Sequence, residues 1–368
     1  MLKLNYRSIF YLIILMALVI RIYFVFFTNF SWYGCDSEMY LKMGKAIIDG
    51  EPISYFPNGY PLLVALTTLF FGNYTPTVLM IINIAAQILT LFIAEKILAQ
   101  FELEGKVKLI VIVLIAFYPT QLSGVRFIMT EPLSVLIIML SIYLFFTKKY
   151  SLFGFTSYLA YSFRPSLILF VPIVIIYQLY KGSKSSAGKM ALGFATGIAL
   201  FVLTDIAGLT ASSGNQTQNI LVSVQSYGYN INHSFSNYSP EQIEHPVKTY
   251  LNFAVSNPLE FLEQRVLSFW SLWGPYVPSQ LGVIAMILHG LRFPFFIIAL
   301  FTFFFRNRIE DKKDFIFILF IPVLSITLIH ILFFSTQRHQ FTAEPFVLIL
   351  SVFGVEYVWN KIKVGSEQ

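Results

Sequence analysis

Along the chain, long apolar runs alternate with short polar ones. A helix crossing a bilayer needs about 20 largely apolar residues, because each residue rises only about 1.5 Å. Runs of this kind occupy Ser8–Phe27, Pro76–Leu98, Val107–Ser123, Thr130–Thr147, Lys189–Leu209, Leu281–Phe305, Asp314–Phe334 and Phe341–Trp359. The stretch from Tyr150 to Tyr180 is apolar but is interrupted by Phe163-Arg164-Pro165. Proline disfavours helix at the residue before it, so two short helices meet there and leave on the side they entered. The pattern predicts an all-α polytopic membrane protein: a single transmembrane domain over residues 1–368 with about ten membrane-embedded helices.

Two longer segments fall between these runs. In the first, residues 28–75, the stretch Ser37–Asp49 places Met39, Tyr40, Met43, Ala46 and Ile47 at helical spacing, with Lys42, Lys45 and Asp49 on other faces. That is the pattern of an amphipathic helix lying on the membrane surface. A short apolar helix, Tyr60–Phe71, follows Pro57-Asn58-Gly59 and is too brief to span. The second segment, residues 210–280, begins rich in Asn, Ser and Gln, which predicts a partly mobile loop. It then turns helical near Pro246–Ser256 and Pro258–Trp273, the latter with Trp270 and Trp273 on an interface-hugging face.

Composition agrees. Apolar residues make up 57% of the chain and charged residues 12%, about half the charge a soluble surface carries. The net charge of +6 is therefore read by position rather than as a nucleic-acid signal. With the N-terminus inside, the inner segments hold more than twice as many Lys and Arg as the outer ones, the bias the positive-inside rule requires. Both termini are then cytoplasmic, both long segments are outer loops, and Arg21 and Arg292 fall within spans. The single cysteine, Cys35, rules out an intramolecular disulfide and a cysteine metal cage.

Charges at membrane depth cost roughly 2.5–3.5 kcal/mol, so those gathered at the outer ends of spans are candidates for chemistry. Asp36 and Glu38 form a D-x-E pair after the first span. Asp36 stands where a carboxylate caps a helix, and equally where a general base is wanted; residues two apart point to different helix faces, which makes Asp36 the better candidate. A divalent cation held by the pair in the presence of phosphate is open as a cofactor. Glu131, in Met129-Thr130-Glu131-Pro132, opens a span at a position the helix dipole favours, with Arg126 five residues earlier as a candidate partner. Arg164, at the break before Pro165, is placed to satisfy freed carbonyls, pair with an acid or bind a phosphate through its planar fork. Arg338-His339 closes the short outer turn before the last span. His233 and His245 lie in the polar loop without metal-ligand spacing. The chain has no phosphate-cradling glycine loop, no Ser-His-Asp order and no nucleic-acid patch.

Four of these places, taken in order, resemble the GT-C superfamily of membrane glycosyltransferases, and within it the branch of the protein O-mannosyltransferases and bacterial lipid A aminoarabinose transferases. They are Gly34-Cys35-Asp36-Ser37-Glu38-Met39-Tyr40, Pro57-Asn58-Gly59-Tyr60-Pro61-Leu62-Leu63, Thr130-Glu131-Pro132-Leu133 and Phe163-Arg164-Pro165. Asn257-Pro258-Leu259-Glu260 with Arg265 and Trp270, and Arg338 ahead of Pro345, are fainter echoes. A serine separates the two acids here, where the mannosyltransferases have them adjacent.

The resemblance implies an inverting transfer of a sugar from a polyprenyl-phosphate donor to a lipid, glycan or protein acceptor at the outer face of the membrane. The expected location is the bacterial cytoplasmic (inner) membrane. It makes Asp36 the general base, with Glu38 as a second catalytic carboxylate, and Arg164, Arg265 and Arg338 the cations for the donor phosphate. Tyr40, Tyr60, Arg126, Glu131 and His339 are assigned to substrate binding or to structure. Two other readings compete. A lipid-linked saccharide transporter or flippase would carry ionisable residues along a mid-membrane path. A polysaccharide polymerase or ligase would carry a large outer loop rich in Arg and His, whereas residues 210–280 contain one Arg.

Overall fold

A computed structural model describes residues 5–28, 36–51, 58–101, 103–206, 221, 224, 238–274, 290–309, 312–333 and 337–366. Among these, all regular structure is helical. Asn5 starts the first helix, α1 (Tyr6–Phe26), its side chain accepting from the Ser8 amide at 2.8 Å. One face of α1, carrying Phe10, Ile13, Ile14, Ala17 and Arg21, is buried, while Leu12, Leu15, Met16 and Val19 are exposed. An apolar face left open to the surroundings is what lipid contact requires.

The two helices of the segment 28–75 pack on each other. In α2 (Ser37–Ile48), Gly44 permits the contact: a Cβ there would come 2.5 Å from Val64 Cγ1 of α3 (Gly59–Phe71). Gly59 in turn lies against Ser162, whose carbonyl would be 2.8 Å from an added Cβ. The expected break after Phe71 is only one 3-10 turn, Gly72–Tyr74, made possible by Gly72 at φ +54. A helical path of 41 residues therefore runs from α3 through α4 (Thr75–Ala99).

Proline marks the other interruptions. The run expected as one span over Val107–Ser123 is divided into α5 (Gly105–Phe117) and α6 (Pro119–Ser123), because Pro119 holds Tyr118 extended; the path bends by 46°. Next come α7 (Glu131–Phe146), α8 (Tyr150–Phe163), α9 (Phe170–Tyr180) and α10 (Lys184–Ile206). The break between α8 and α9 falls at Arg164-Pro165, as the sequence predicts, with Arg164 extended. Helices α8 and α10 meet backbone to backbone, with Gly154 against the Met190 carbonyl and Gly193 against the Ser151 carbonyl. Small residues do this in membranes, where helices associate through close packing rather than hydrophobic exclusion.

In the segment 210–280 α11 (Pro240–Glu244), α12 (Pro246–Ser256) and α13 (Pro258–Trp273) each begin on a proline, which has no amide to leave unsatisfied. Its earlier part, with His233, lies outside the described residues, as does Cys35. The chain continues with α14 (Arg292–Phe304), α15 (Lys313–Leu332) and α16 (Glu344–Ser366). Residues 281–289, the start of the run expected over Leu281–Phe305, also lie outside the described residues.

Among the described residues four helical stretches are long and apolar enough to cross a membrane, or five if the bent α5–α6 pair counts as one. Three further apolar helices, α7, α14 and the path Pro165–Tyr180, are shorter. Helix α15 is the most enclosed of the four, with 61% of its apolar window buried against 22% for α10. The charged residues converge at the buried start of α7 and in the turn that follows α15.

Candidate functional site

The site begins with Ser37, fully buried at the start of α2. Its hydroxyl accepts the Ile128 amide at 3.1 Å, tying the start of α2 to the loop that leads into α7. This tie brings Asp36 beside Glu131, the first residue of α7. The 3-10 turn Gln337–Thr342 supplies Arg338 from the far end of the chain. Arg338 Nη2 donates to Asp36 Oδ2 at 2.7 Å across 302 residues of sequence, and its Nε stands 3.6 Å from Glu131 Oε1. The same Glu131 oxygen pairs with Arg164 Nη1 at 3.0 Å. Arg164 Nη2 donates to the His339 carbonyl at 3.0 Å, and Thr130 Oγ1 to Glu131 Oε2 at 3.2 Å.

The result is a chain of alternating charge: Asp36, Arg338, Glu131, Arg164. Its two ends differ in exposure. The Glu131 and Arg164 side chains are 5% and 8% exposed, those of Asp36 and Arg338 28% and 30%. Buried charges persist only when paired and hydrogen-bonded. The inner pair meets that condition and anchors the guanidinium of Arg338. The outer pair is accessible.

Aromatic groups close the inner side. Tyr40 and Tyr60 meet edge to face with centroids 4.7 Å apart, and Tyr60 reaches Phe163 at 6.1 Å. Burial pushes the Tyr40 hydroxyl well above its ordinary pKa, and the Glu131 and Asp36 carboxylates add to this. It stays a neutral donor beside the acids. His339 stacks on His330 at 4.0 Å. Burial, then His330, Arg164 and Arg338, hold its imidazole well below the usual histidine pKa, so it is neutral near pH 7.

Of the candidates drawn from sequence, Asp36, Glu131, Arg164 and Arg338 are brought together, with Tyr40, Tyr60 and His339 around them. Others go elsewhere. Glu38 points outward and pairs with Lys42 at 2.8 Å. Arg126, a candidate partner of Glu131, has other contacts: its Nη2 donates to Thr28 Oγ1 at 2.9 Å and its guanidinium lies over Phe24. Arg265 is buried and donates to the Leu332 and Phe333 carbonyls, which end α15, and to Gln264 Oε1 at 3.1 Å. Asp36 makes no side-chain cap to α2, contrary to the capping expectation, because its carboxylate is drawn to Arg338. Sequence reasoning overlooked Ser37 and His330. A hydroxyl between two acids was a weak signal for the first; nothing in the chain marked the second. Among the described residues no group of three or more His, Cys, Asp or Glu is placed to hold a metal ion.

Comparison with solved structures finds the fold of the chain in known proteins. An archaeal oligosaccharyltransferase, AglB of Archaeoglobus fulgidus, solved with an inhibitory peptide and a dolichol-phosphate, matches 97% of the chain at a TM-score of 0.55 and 12% identity. A second structure of the Archaeoglobus fulgidus oligosaccharyltransferase, tethered to an acceptor peptide, matches 96% at 0.56 and 11%. What the chain shares with them is the GT-C fold. The chain spans about half the length of each, 51% and 50%. No protein-family model matches the sequence, and no curated protein matches it.

Proposed function

We propose that the protein is an inverting glycosyltransferase that moves a hexosyl or pentosyl group from a polyprenyl-phosphate donor to an acceptor hydroxyl at the outer face of the membrane. The observation that carries this reading is the ion-pair chain, assembled from four distant segments and open to the surface at Asp36 and Arg338. Its setting, a fold shared with two oligosaccharyltransferase structures, one of them holding a dolichol-phosphate, supports the same class of chemistry.

In this reading Asp36 takes the proton of the acceptor hydroxyl as that oxygen attacks the anomeric carbon. The bond from the anomeric carbon to the phosphate oxygen breaks, and the polyprenyl phosphate leaves with the electron pair. Arg338 meets the developing negative charge. A planar, permanently charged fork suits it to a phosphate, and Glu131 holds that fork from behind. Arg164 acts through Glu131 and the His339 carbonyl rather than by contact, so it is a positioning residue. Arg265, engaged by the end of α15, and Glu38, paired with Lys42, have structural roles in this scheme.

The proposal includes the topology: about ten embedded helices, both termini cytoplasmic, and the Asp36–Arg338 end outward, in a bacterial cytoplasmic membrane. The acceptor is a lipid, glycan or protein. A transporter reading would need ionisable groups along a path at mid-membrane, yet Arg21, the clearest such group, is held by Gln87 and two carbonyls.

The test is mass spectrometry of surface glycans from cells carrying the native gene, no gene, or Asp36→Asn. A sugar lost on deletion should stay lost in Asp36→Asn while the variant protein accumulates in the membrane normally. Restoration of that sugar by Asp36→Asn would overturn the assignment of the base.

A further inference from the structure

A second concave surface lies far from the charged chain. Helices α14 and α16 cross where Gly354 faces Thr302, so closely that a Cβ on Gly354 would strike the Thr302 hydroxyl. Beyond that crossing they diverge, leaving a groove of about 480 Å³. Phe301, Phe305, Val358, Trp359 and Ile362 line its length, and Arg308 lines it too. Arg308 is exposed, with its guanidinium 5.3 Å from the Phe305 ring. Lys361 is exposed and lies 6.0 Å from the ring of Tyr357, another lining residue. Among the described residues neither cation has an ion pair. The connecting segment 305–312 contains Arg306, Arg308 and Lys312 against Glu310 and Asp311.

An apolar trough with two exposed cations that have no ion pair among the described residues matches a molecule with a long hydrocarbon chain and an anionic head. We propose that this groove binds an anionic diacyl phospholipid, its phosphate on Arg308 and Lys361 and an acyl chain along Phe301, Val358 and Ile362. The basic-residue bias assigns this end of the helices to the cytoplasmic leaflet, where anionic lipids attract juxtamembrane Lys and Arg.

Two other occupants fit less well. A second copy of the chain related by a two-fold axis along the membrane normal would bring Arg308 and Lys361 to the depth of their own counterparts, like charge near like. A polyprenyl phosphate bound for transfer would carry its head to Arg338. Arg308 precedes α15 and Arg338 follows it; the 20 residues of that helix separate the two by about 30 Å. The groove is therefore independent of the proposed reaction, and its test does not rest on that reading.

The experiment is native mass spectrometry of the purified full-length protein titrated with phosphatidylglycerol, phosphatidylcholine or undecaprenyl phosphate. Phosphatidylglycerol should bind at least about tenfold more tightly than phosphatidylcholine. The preference should disappear in Arg308→Gln/Lys361→Gln, two exposed positions whose exchange leaves the packing intact, and persist in Asp36→Asn. Equal binding of the two phospholipids, an undiminished preference in the double variant, tighter retention of undecaprenyl phosphate through these two cations, or a protein dimer sealed at this face would each overturn the proposal.

Discussion

Arg21 and Arg338 are both guanidinium groups carried into an apolar helical bundle, and their surroundings are opposite. Arg21 is 1% exposed and has only neutral acceptors among its recorded partners: Gln87 Oε1 at 2.6 Å, and the Ala17 and Ala116 carbonyls at 3.0 Å each. Its hydrogen bonds tie α1 to α4 and to the end of α5. Arg338 is partly open and lies between two carboxylates. One charge is consumed in holding helices together; the other is balanced by charge and kept where a ligand can reach it. A charge in a membrane protein is therefore diagnostic of function only once its partners and its exposure are known.

The sharpest way to break this contrast is Asp36→Asn. It should lower sugar transfer by about 10²–10⁴-fold and leave the melting temperature in detergent nearly unchanged, because the outer pair is partly solvated. Transfer at the native rate would return Asp36 to a merely structural role.

Arg338→Gln should come next, with about 10²-fold lower kcat. Arg338→Lys should recover only part of that, since an ammonium cannot reproduce the fork that reaches both acids. Complete rescue by lysine would argue against directional recognition.

At the buried end the expected effect moves from rate to stability. Glu131→Gln leaves Arg164 with its carboxylate partner removed and should cost about 3–5 kcal/mol, read as a loss of folded protein by thermal or steric-trap unfolding. Exchanging Arg164 and Glu131 together for a neutral pair of similar size should cost less than either change alone. Additive losses would show that the two residues are not coupled.

Arg21→Met should cost about 1–3 kcal/mol by leaving Gln87 Oε1 and the Ala116 carbonyl without the Arg21 donors, with transfer per folded molecule unchanged. A specific loss of activity would mean that Arg21 belongs to the reaction path.

The smallest effect concerns His339. Its imidazole is neutral when folded and titrates near 6.5 when unfolded. Above about pH 6.5 both states are neutral and the residue imposes no penalty; as pH falls below that value the unfolded chain takes up a proton that the folded one excludes, and stability declines. Melting temperatures at about pH 7.5 and 5.5 should show a drop that His339→Asn reduces. An equal drop in the variant would assign the effect to other groups.

Much of this molecule was legible in advance, and for a physical reason. A bilayer imposes a length and a polarity on each helix, so uninterrupted apolar runs announce themselves. Proline acts on its own neighbours, so the break at Arg164-Pro165 was readable, and Pro119, which divides the run Val107–Ser123, carried the same local signal although that run was read as one helix. The candidate acids and arginines were legible as charges at the ends of spans. Their partners were not. Asp36 was placed to cap α2, yet its carboxylate turned to a guanidinium 302 residues away. Arg265 and Arg338 looked alike as donors to a phosphate, yet one is held by the carbonyls that end α15 and the other by two acids.

The sequence by itself determined the helices, their membrane character and the set of charges available for chemistry, because each follows from local periodicity or from the solvent around a single segment. Only the tertiary structure decided which charges meet. That choice depends on how α2, α7, the Arg164 break and the 337–342 turn come together, on contacts such as Ser37 with Ile128 that join segments distant in the chain. Pair energies between charges fall off with distance and burial, and neither quantity exists until the chain has folded.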